Sequence, residues 1–265
     1  MYLYEQNSLK LKEVISRKFI SLIVITALFA VLFTSCKKDK DDDEVQLLET
    51  IKYSSGSYDK YEYDDQNRIT KISWYGKDDN LVGMETFTYS GNDLVKHVSE
   101  EIGYAQYTYE FSRSGNTISL KRSSSNTSDV RTNIMELDND GMPVKYEENY
   151  ITWNYVISYQ IKDENLMVYS HKETLDDIVK EQSITYKYDN NKSPFFHCKT
   201  PKWFIFMQSG HKGSKNNAIE ETRDGETYKY EYAYDNAGFL IKTTERDYGS
   251  EIIEYVTEYS YKIKN

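Results

Sequence analysis

What this chain lacks narrows its class before anything it contains. Between residue 45 and the C-terminus there are only 9 leucines, although Leu is normally among the commonest residues of a folded domain. Outside residues 190 to 219, no stretch repeats straight-chain apolar residues at helical spacing, which argues against a helical bundle. No Gly-rich phosphate loop, dinucleotide fingerprint or Gly-x-Ser-x-Gly elbow occurs, so the common nucleotide-binding and esterase chemistries have no foothold. The apolar run at residues 19 to 33 is fifteen residues without a charge, short of the roughly 20 that a membrane-spanning helix needs. Cysteine is nearly missing, with Cys36 and Cys198 alone. A domain of about 220 residues can build its core without a disulfide. Basic residues are outnumbered, 33 against 43 acidic, for a net charge of −10; such a domain repels nucleic acid and anionic headgroups.

The first 35 residues read as a secretory signal rather than as part of a fold. Lys10, Lys12, Arg17 and Lys18 precede "FISLIVITALFAVLF", and the segment closes on "LFTSC" with small residues ahead of Cys36. That ending resembles the lipobox of bacterial lipoproteins. The resemblance implies that the Cys36 sulfur is diacylated, that the mature chain begins there, and that a lipid anchor holds it to a membrane. An ordinary signal with an incidental Cys is the alternative. Removing residues 1 to 35, with four basic and two acidic side chains, takes the net charge from −10 to −12.

Residues 36 to 44 then form an acidic tether, "CKKDKDDDE". Clustered charges with no apolar residue bury nothing and stay solvated. A calcium loop is disfavoured because no Gly sits at the sharp turn and no Glu closes a 12-residue loop. In this position the run also resembles the acidic surface-export signal that some Gram-negative bacteria place behind the lipidated Cys. That resemblance implies the outer leaflet of the outer membrane, facing the cell exterior.

Residues 45 to 265 are written in tyrosine, 24 of them. The residues fall at period two: Tyr61 and Tyr63; Tyr107, Tyr109 and Phe111; Tyr186 and Tyr188; Tyr228 through Tyr234; Tyr259 and Tyr261. Period two is a strand with one aromatic and one polar face, and Tyr suits a half-buried pleated surface. Taking the last apolar residue before each turn gives Tyr63, Tyr89, Phe111, Leu137, Ile161, Tyr188 and Tyr234, at intervals of 26, 22, 26, 24, 27 and 46. A unit that short is a hairpin. In "YDDQNRI", "FSRSGNTI", "LDNDGMPV" and "YDNAGFLI", Asp64, Ser112, Asp138 and Asp235 are placed to accept from backbone N–H groups in Asx or Ser turns. Asn67, Gly115, Gly141 and Gly238 supply the positive φ that closes them. The Tyr-Asp pair is therefore punctuation. Adjacent acids such as Glu147 and Glu148 point to opposite faces of a strand and make no catalytic pair.

"YEYDDQNRITKI" and "YEYAYDNAGFLIKT" resemble the YD repeats of the Rhs and teneurin class. The first copy departs by placing Asn67 where the Gly belongs, the last by following Gly238 with Phe239 instead of Arg. Together with the lipobox and the interruption "NNKSPFFHC", the chain from about residue 36 resembles a family of uncharacterised Gram-negative lipoproteins with a porin-like β fold. The resemblance implies architecture and address, and no activity.

Each repeat supplies two strands, so the expectation is all-β: an antiparallel up-and-down meander of 14 to 16 strands in one curved, barrel-like sheet. A closed ring of that size leaves a lumen to be filled. A membrane-embedded barrel needs an aliphatic face, and "ETYKYEYAYD" has none. The one break in pattern is the insertion at residues 190 to 219, with five lysines, no acid and the cluster Phe195, Phe196, Trp203, Phe204 and Phe206. It reads either as a plug whose aromatics are core, which large apolar clusters usually are, or as a binding loop offering a platform to a sugar or apolar ligand.

No metal, cofactor or catalytic residue is expected. His197 and Cys198 are adjacent, His211 is distant, and ligand pairing at short spacing is missing. His97 and His171 stand alone on separate strands, and a lone Cys198 is more often a small buried hydrophobe than a nucleophile. The functional expectation is a non-catalytic surface binding module for a glycan or protein, with a structural lipoprotein of an envelope assembly as the alternative and a surface hydrolase last.

Overall fold

A computed structural model describes residues 44–149, 153–176, 178–248 and 252–264. The expected signal, the lipidation site Cys36 and the tether up to Asp43 lie outside the described residues. Seventeen strands are described. They run β1 (Val45–Tyr53), β2 (Tyr58–Tyr63), β3 (Ile69–Tyr75), β4 (Leu81–Ser90), β5 (Asp93–Glu101) and β6 (Gln106–Ser114). Next come β7 (Thr117–Ser124), β8 (Thr127–Leu137), β9 (Pro143–Asn149), β10 (Trp153–Lys162), β11 (Asn165–Leu175) and β12 (Ile178–Tyr188). The insertion holds the helix α1 (Lys202–Ser209) and a 3-10 turn (Gly210–Gly213), after which β13 (Ala218–Arg223), β14 (Glu226–Lys229), β15 (Glu231–Tyr234), β16 (Leu240–Tyr248) and β17 (Ile252–Lys264) complete the domain.

Every strand pairs antiparallel with the next except β14 with β15, and β1 pairs with β17 from Val45 opposite Lys264 to Tyr53 opposite Thr257. The first and last strands therefore bring the meander round into a barrel. Only Tyr230 separates β14 from β15. The first pairs with β13, the second with β16. They form one extended segment that changes partner midway, so the ring holds sixteen strand positions, the upper end of the expected range. Where the partner changes, the sheet splays.

Side chains alternate as period two requires. Along β10, Ile157 and Tyr159 are buried while Ser158 and Gln160 are exposed. Around the ring the outer positions are residues such as Glu62, Thr88, Glu110, Lys121, Lys187 and Lys242, all exposed. Exposed aliphatics such as Ile134, Val144, Ile219 and Ile241 stand among them.

The turns explain the Tyr-Asp grammar. Asp64 Oδ1 accepts from the N–H groups of Gln66 and Arg68 at 2.9 and 3.0 Å. Asp138 does the same with Asp140 and Met142, both at 2.9 Å, and Asp235 with Ala237 and Phe239 at 2.9 and 2.8 Å. Asn67, Gly141 and Gly238 close these turns at φ of 65°, 78° and 80°. Ser112 departs from the expectation. It pairs with Ser119 within the β6–β7 ladder, because Gly115 at φ 58° and Asn116 already make a two-residue hairpin further on. A β-bulge precedes Tyr63, Tyr89, Leu137, Ile161, Tyr188 and Tyr234, and is missing before Phe111. An added residue in one strand of a pair bends that strand and increases its local twist.

Tyrosine, rather than Phe or Leu, is used because its hydroxyl ties neighbouring hairpins. Tyr89 donates to the carbonyl of Ile69 at 2.8 Å, Tyr188 to that of Leu166 at 2.7 Å and Tyr261 to that of Leu240 at 2.5 Å. Each accepting residue follows the turn of an adjacent hairpin. The contact repeats with the hairpin and locks the rim.

Candidate functional site

The insertion opens inside one of these turns. Asp189 Oδ1 accepts from Asn191 at 3.1 Å, as the other turn aspartates accept from their own second neighbour. Its next donor is Asn217, also at 3.1 Å and 28 residues along the chain. The intervening residues are a turn expanded into a plug. They tie to the rim through Lys192 N–H to Gly238 O, Lys199 N–H to Asn67 O and Lys215 N–H to Glu164 O, at 2.8, 2.9 and 3.0 Å.

The insertion's aromatics fill the lumen at that end. Trp203 is 4% exposed, Phe204 2%, Phe206 1% and Phe195 5%, and Phe196 is half-buried. Trp203 meets Phe111 edge-on at 5.2 Å. Phe204 stands against Phe87 at 5.6 Å and His97 at 5.3 Å. Trp203, Phe204 and Phe206 are thus the interior of the plug, and offer no exposed platform. His97 lies in a stack between Phe87 and Tyr109, 4.9 and 5.1 Å away, with its Nε2 3.2 Å from Glu85. Cys198 is buried, and burial pushes its thiol above the usual range, the opposite of what a nucleophile needs. No group of three metal-ligating side chains occurs among the described residues.

Beneath the plug the lumen stays open. A chamber of about 370 Å³ has Phe195, Gln208, His211 and Asn216 as its floor and Tyr61, Tyr230, Tyr232 and Tyr259 on its walls, and it reaches Tyr53, the last residue of β1. Its volume falls within the range of small-ligand pockets. Tyr230 and Tyr232 lie nearly parallel, 6.2 Å apart with planes at 10°, and both border the chamber. Polar groups stand at its edges. Lys212 Nζ is 3.9 Å from Glu245, and Tyr230 donates to Glu221 at 3.0 Å. Glu221 is 4% exposed and also accepts from Arg223 at 2.6 Å, so its charge is paired.

His211 packs on Tyr186 at 4.9 Å and beside Tyr230 at 5.9 Å. Burial pushes its pKa down to about 4, with the neighbouring Lys212 acting the same way. The ring is neutral at physiological pH. Burial likewise raises the hydroxyl pKa of Tyr230 and Tyr232, so these remain hydrogen-bond donors. Together the wall and its rim can stack a flat apolar face and hydrogen-bond its periphery. The second opening, about 840 Å³, lies at the splay beside Tyr228, Tyr230 and Glu245 and shares Tyr230 and Glu245 with the chamber.

Of the five insertion aromatics singled out from sequence only Phe195 lines this chamber, together with His211, which the sequence offered only as a distant histidine. Tyr61, Tyr230, Tyr232 and Tyr259 were legible as strand residues, and Tyr53 was not singled out. Their common signal is period two, which tyrosines elsewhere in the domain, such as Tyr107 and Tyr109, share.

No family model matches the chain, and no curated relative matches it. Among solved structures, a porin-like protein from Bacteroides uniformis ATCC 8492 is similar at 14% identity and a TM-score of 0.47, over 81% of this chain and 96% of the other. A porin-like protein from Bacteroides vulgatus ATCC 8482 is similar at 13% identity and a TM-score of 0.42, over 82% and 99% of the two chains.

Proposed function

We propose that this protein is a non-catalytic binding module, lipid-anchored at Cys36 to the outer membrane and facing the cell exterior, whose lumenal chamber takes a glycan. The observation that carries the ligand class is the stacked pair Tyr230 and Tyr232 on the wall of a chamber edged by Glu245, Gln208 and Asn216. A sugar ring presents C–H groups on its faces and hydroxyls at its rim, and needs an aromatic surface with polar groups around it. A folded protein is too large for 370 Å³. The address is supported by the "LFTSC" ending and the acidic run behind it. Val45 and Lys264 pair at the plugged rim, so the chain enters the domain at the end opposite the chamber's Tyr53.

The alternative, a structural lipoprotein of an envelope assembly, draws its support from the burial of Trp203, since a plug needs no ligand. Retention of the mature chain on immobilised neutral oligosaccharides separates the two. The binding reading expects retention that Tyr232→Ala abolishes. No retention on any sugar, with the chain instead recovered in a stable envelope complex, favours the structural one.

A further inference from the structure

We propose that the plugged end carries a second site, for a phosphate group, between Lys199, Lys202 and Lys215. The three side chains border one cavity of about 430 Å³ together with His197 and Thr200. Glu164 is the one carboxylate on its wall, and stands 3.8 Å from Lys215 Nζ. Among the described residues neither Lys199 nor Lys202 is in an ion pair. In a mature domain of net charge −12, a cavity lined by three lysines and one carboxylate is a local reversal of sign.

The backbone fixes this arrangement. Lys199 is held by its N–H to Asn67, and Lys215 by its N–H to Glu164, on two different turns of the rim. Lys202 opens α1; burial lowers its pKa, Cys198 and Glu164 oppose that shift, and Lys199 and Lys215 add to it. Holding like charges together costs energy that a doubly charged anion relieves. A phosphate monoester supplies that charge and enough oxygens to accept from all three lysines, whereas a carboxylate has one charge and two oxygens.

The site also lies where the chain leaves the domain. His197 Nδ1 accepts from the N–H of Gln46 at 3.0 Å, one residue inside β1. If Cys36 is anchored, the cavity sits at the membrane-proximal rim. Its ligand is then either free phosphate or the phosphate of a lipid headgroup. Only the headgroup source rests on the anchor reading; the site itself does not.

The test uses the mature chain in detergent micelles, titrated separately with inorganic phosphate and with short-chain phosphatidic acid, and read by thermal shift and calorimetry at constant ionic strength. Saturable binding of at least one is expected, and the tighter ligand identifies the source. Lys202→Met should weaken it by about tenfold, the loss of one charge-assisted contact. Glu164→Gln should strengthen it by freeing Lys215, a gain that a misfolded variant does not give. Absence of saturable binding by both ligands, or affinities unchanged in Lys202→Met and Glu164→Gln alike, overturns the proposal.

Discussion

Asp189 and Asn217 are 28 residues apart, yet the N–H of Asn217 donates to Asp189 Oδ1 at 3.1 Å, where Arg68 donates to Asp64 at 3.0 Å from only four residues away. The Asp189 backbone N–H in turn donates to Asn217 O at 3.1 Å, as that of Asp64 does to Arg68 O at 2.9 Å. One carboxylate thus clasps both ends of the plug. It also accepts from Asn191 and from the hydroxyl of Tyr234.

Asp189→Ala should destabilise the domain by about 3 kcal/mol, since bonds to a charged acceptor contribute about 1.5–3 kcal/mol, and lower the thermal midpoint by roughly 10 °C. Asp138→Ala, which loses only the two N–H groups of its own turn, should cost less. Denaturation curves showing the two variants equally stable would contradict the role of Asp189 as a clasp.

The clasp shows how far a local pattern carries. Asp64, Asp138 and Asp235 were legible as turn acceptors because their donors lie within four residues. Asp189 has the same Tyr-Asp setting, but its second donor depends on where a 28-residue excursion returns. Ser112 misled for the opposite reason, since Gly115 and Asn116 form a tighter hairpin beyond it. The all-β meander followed from the tyrosine period. The chamber did not, because Tyr53, Tyr61, Tyr232 and Tyr259 come together only after β1 and β17 pair.

Trp203→Ala removes a side chain that is 4% exposed and packed on Phe111 and Phe204. Truncating a buried aromatic costs roughly 3–5 kcal/mol, so the midpoint should fall by roughly 10 °C or more. If stability is unchanged while oligosaccharide retention disappears, the insertion is a binding loop after all.

His211 gives the fold a pH dependence of defined sign. Its native pKa is about 4, below the ordinary value near 6.5, so between those values the unfolded chain binds a proton that the native chain refuses. The stabilisation is present above about pH 6.5 and is lost as pH falls towards 4, at no more than about 1.4 kcal/mol per pH unit. His211→Phe keeps a ring against Tyr186 and removes the titration. Urea midpoints should therefore fall more steeply with acid in the wild type than in the variant; parallel profiles would refute the assignment.

The address is tested at the N-terminus. Mass spectrometry of the membrane-extracted protein should find Cys36 as the first residue with acyl mass added, and Cys36→Ser should leave the membrane fraction. Replacing Asp39, Asp41, Asp42, Asp43 and Glu44 with Ala should preserve lipidation and shield the domain from protease added outside intact cells. Equal cleavage of both forms would make the acidic run a spacer.

The binding claim is tested most directly by hydroxyl-radical footprinting of the mature protein with and without the oligosaccharide that retains it. Protection is expected at Tyr230, Tyr232 and Tyr259 on the chamber wall, with Tyr104, 73% exposed in the loop between β5 and β6, unchanged. Protection confined to outer-surface residues, or none at the three chamber tyrosines under saturating ligand, would contradict the account.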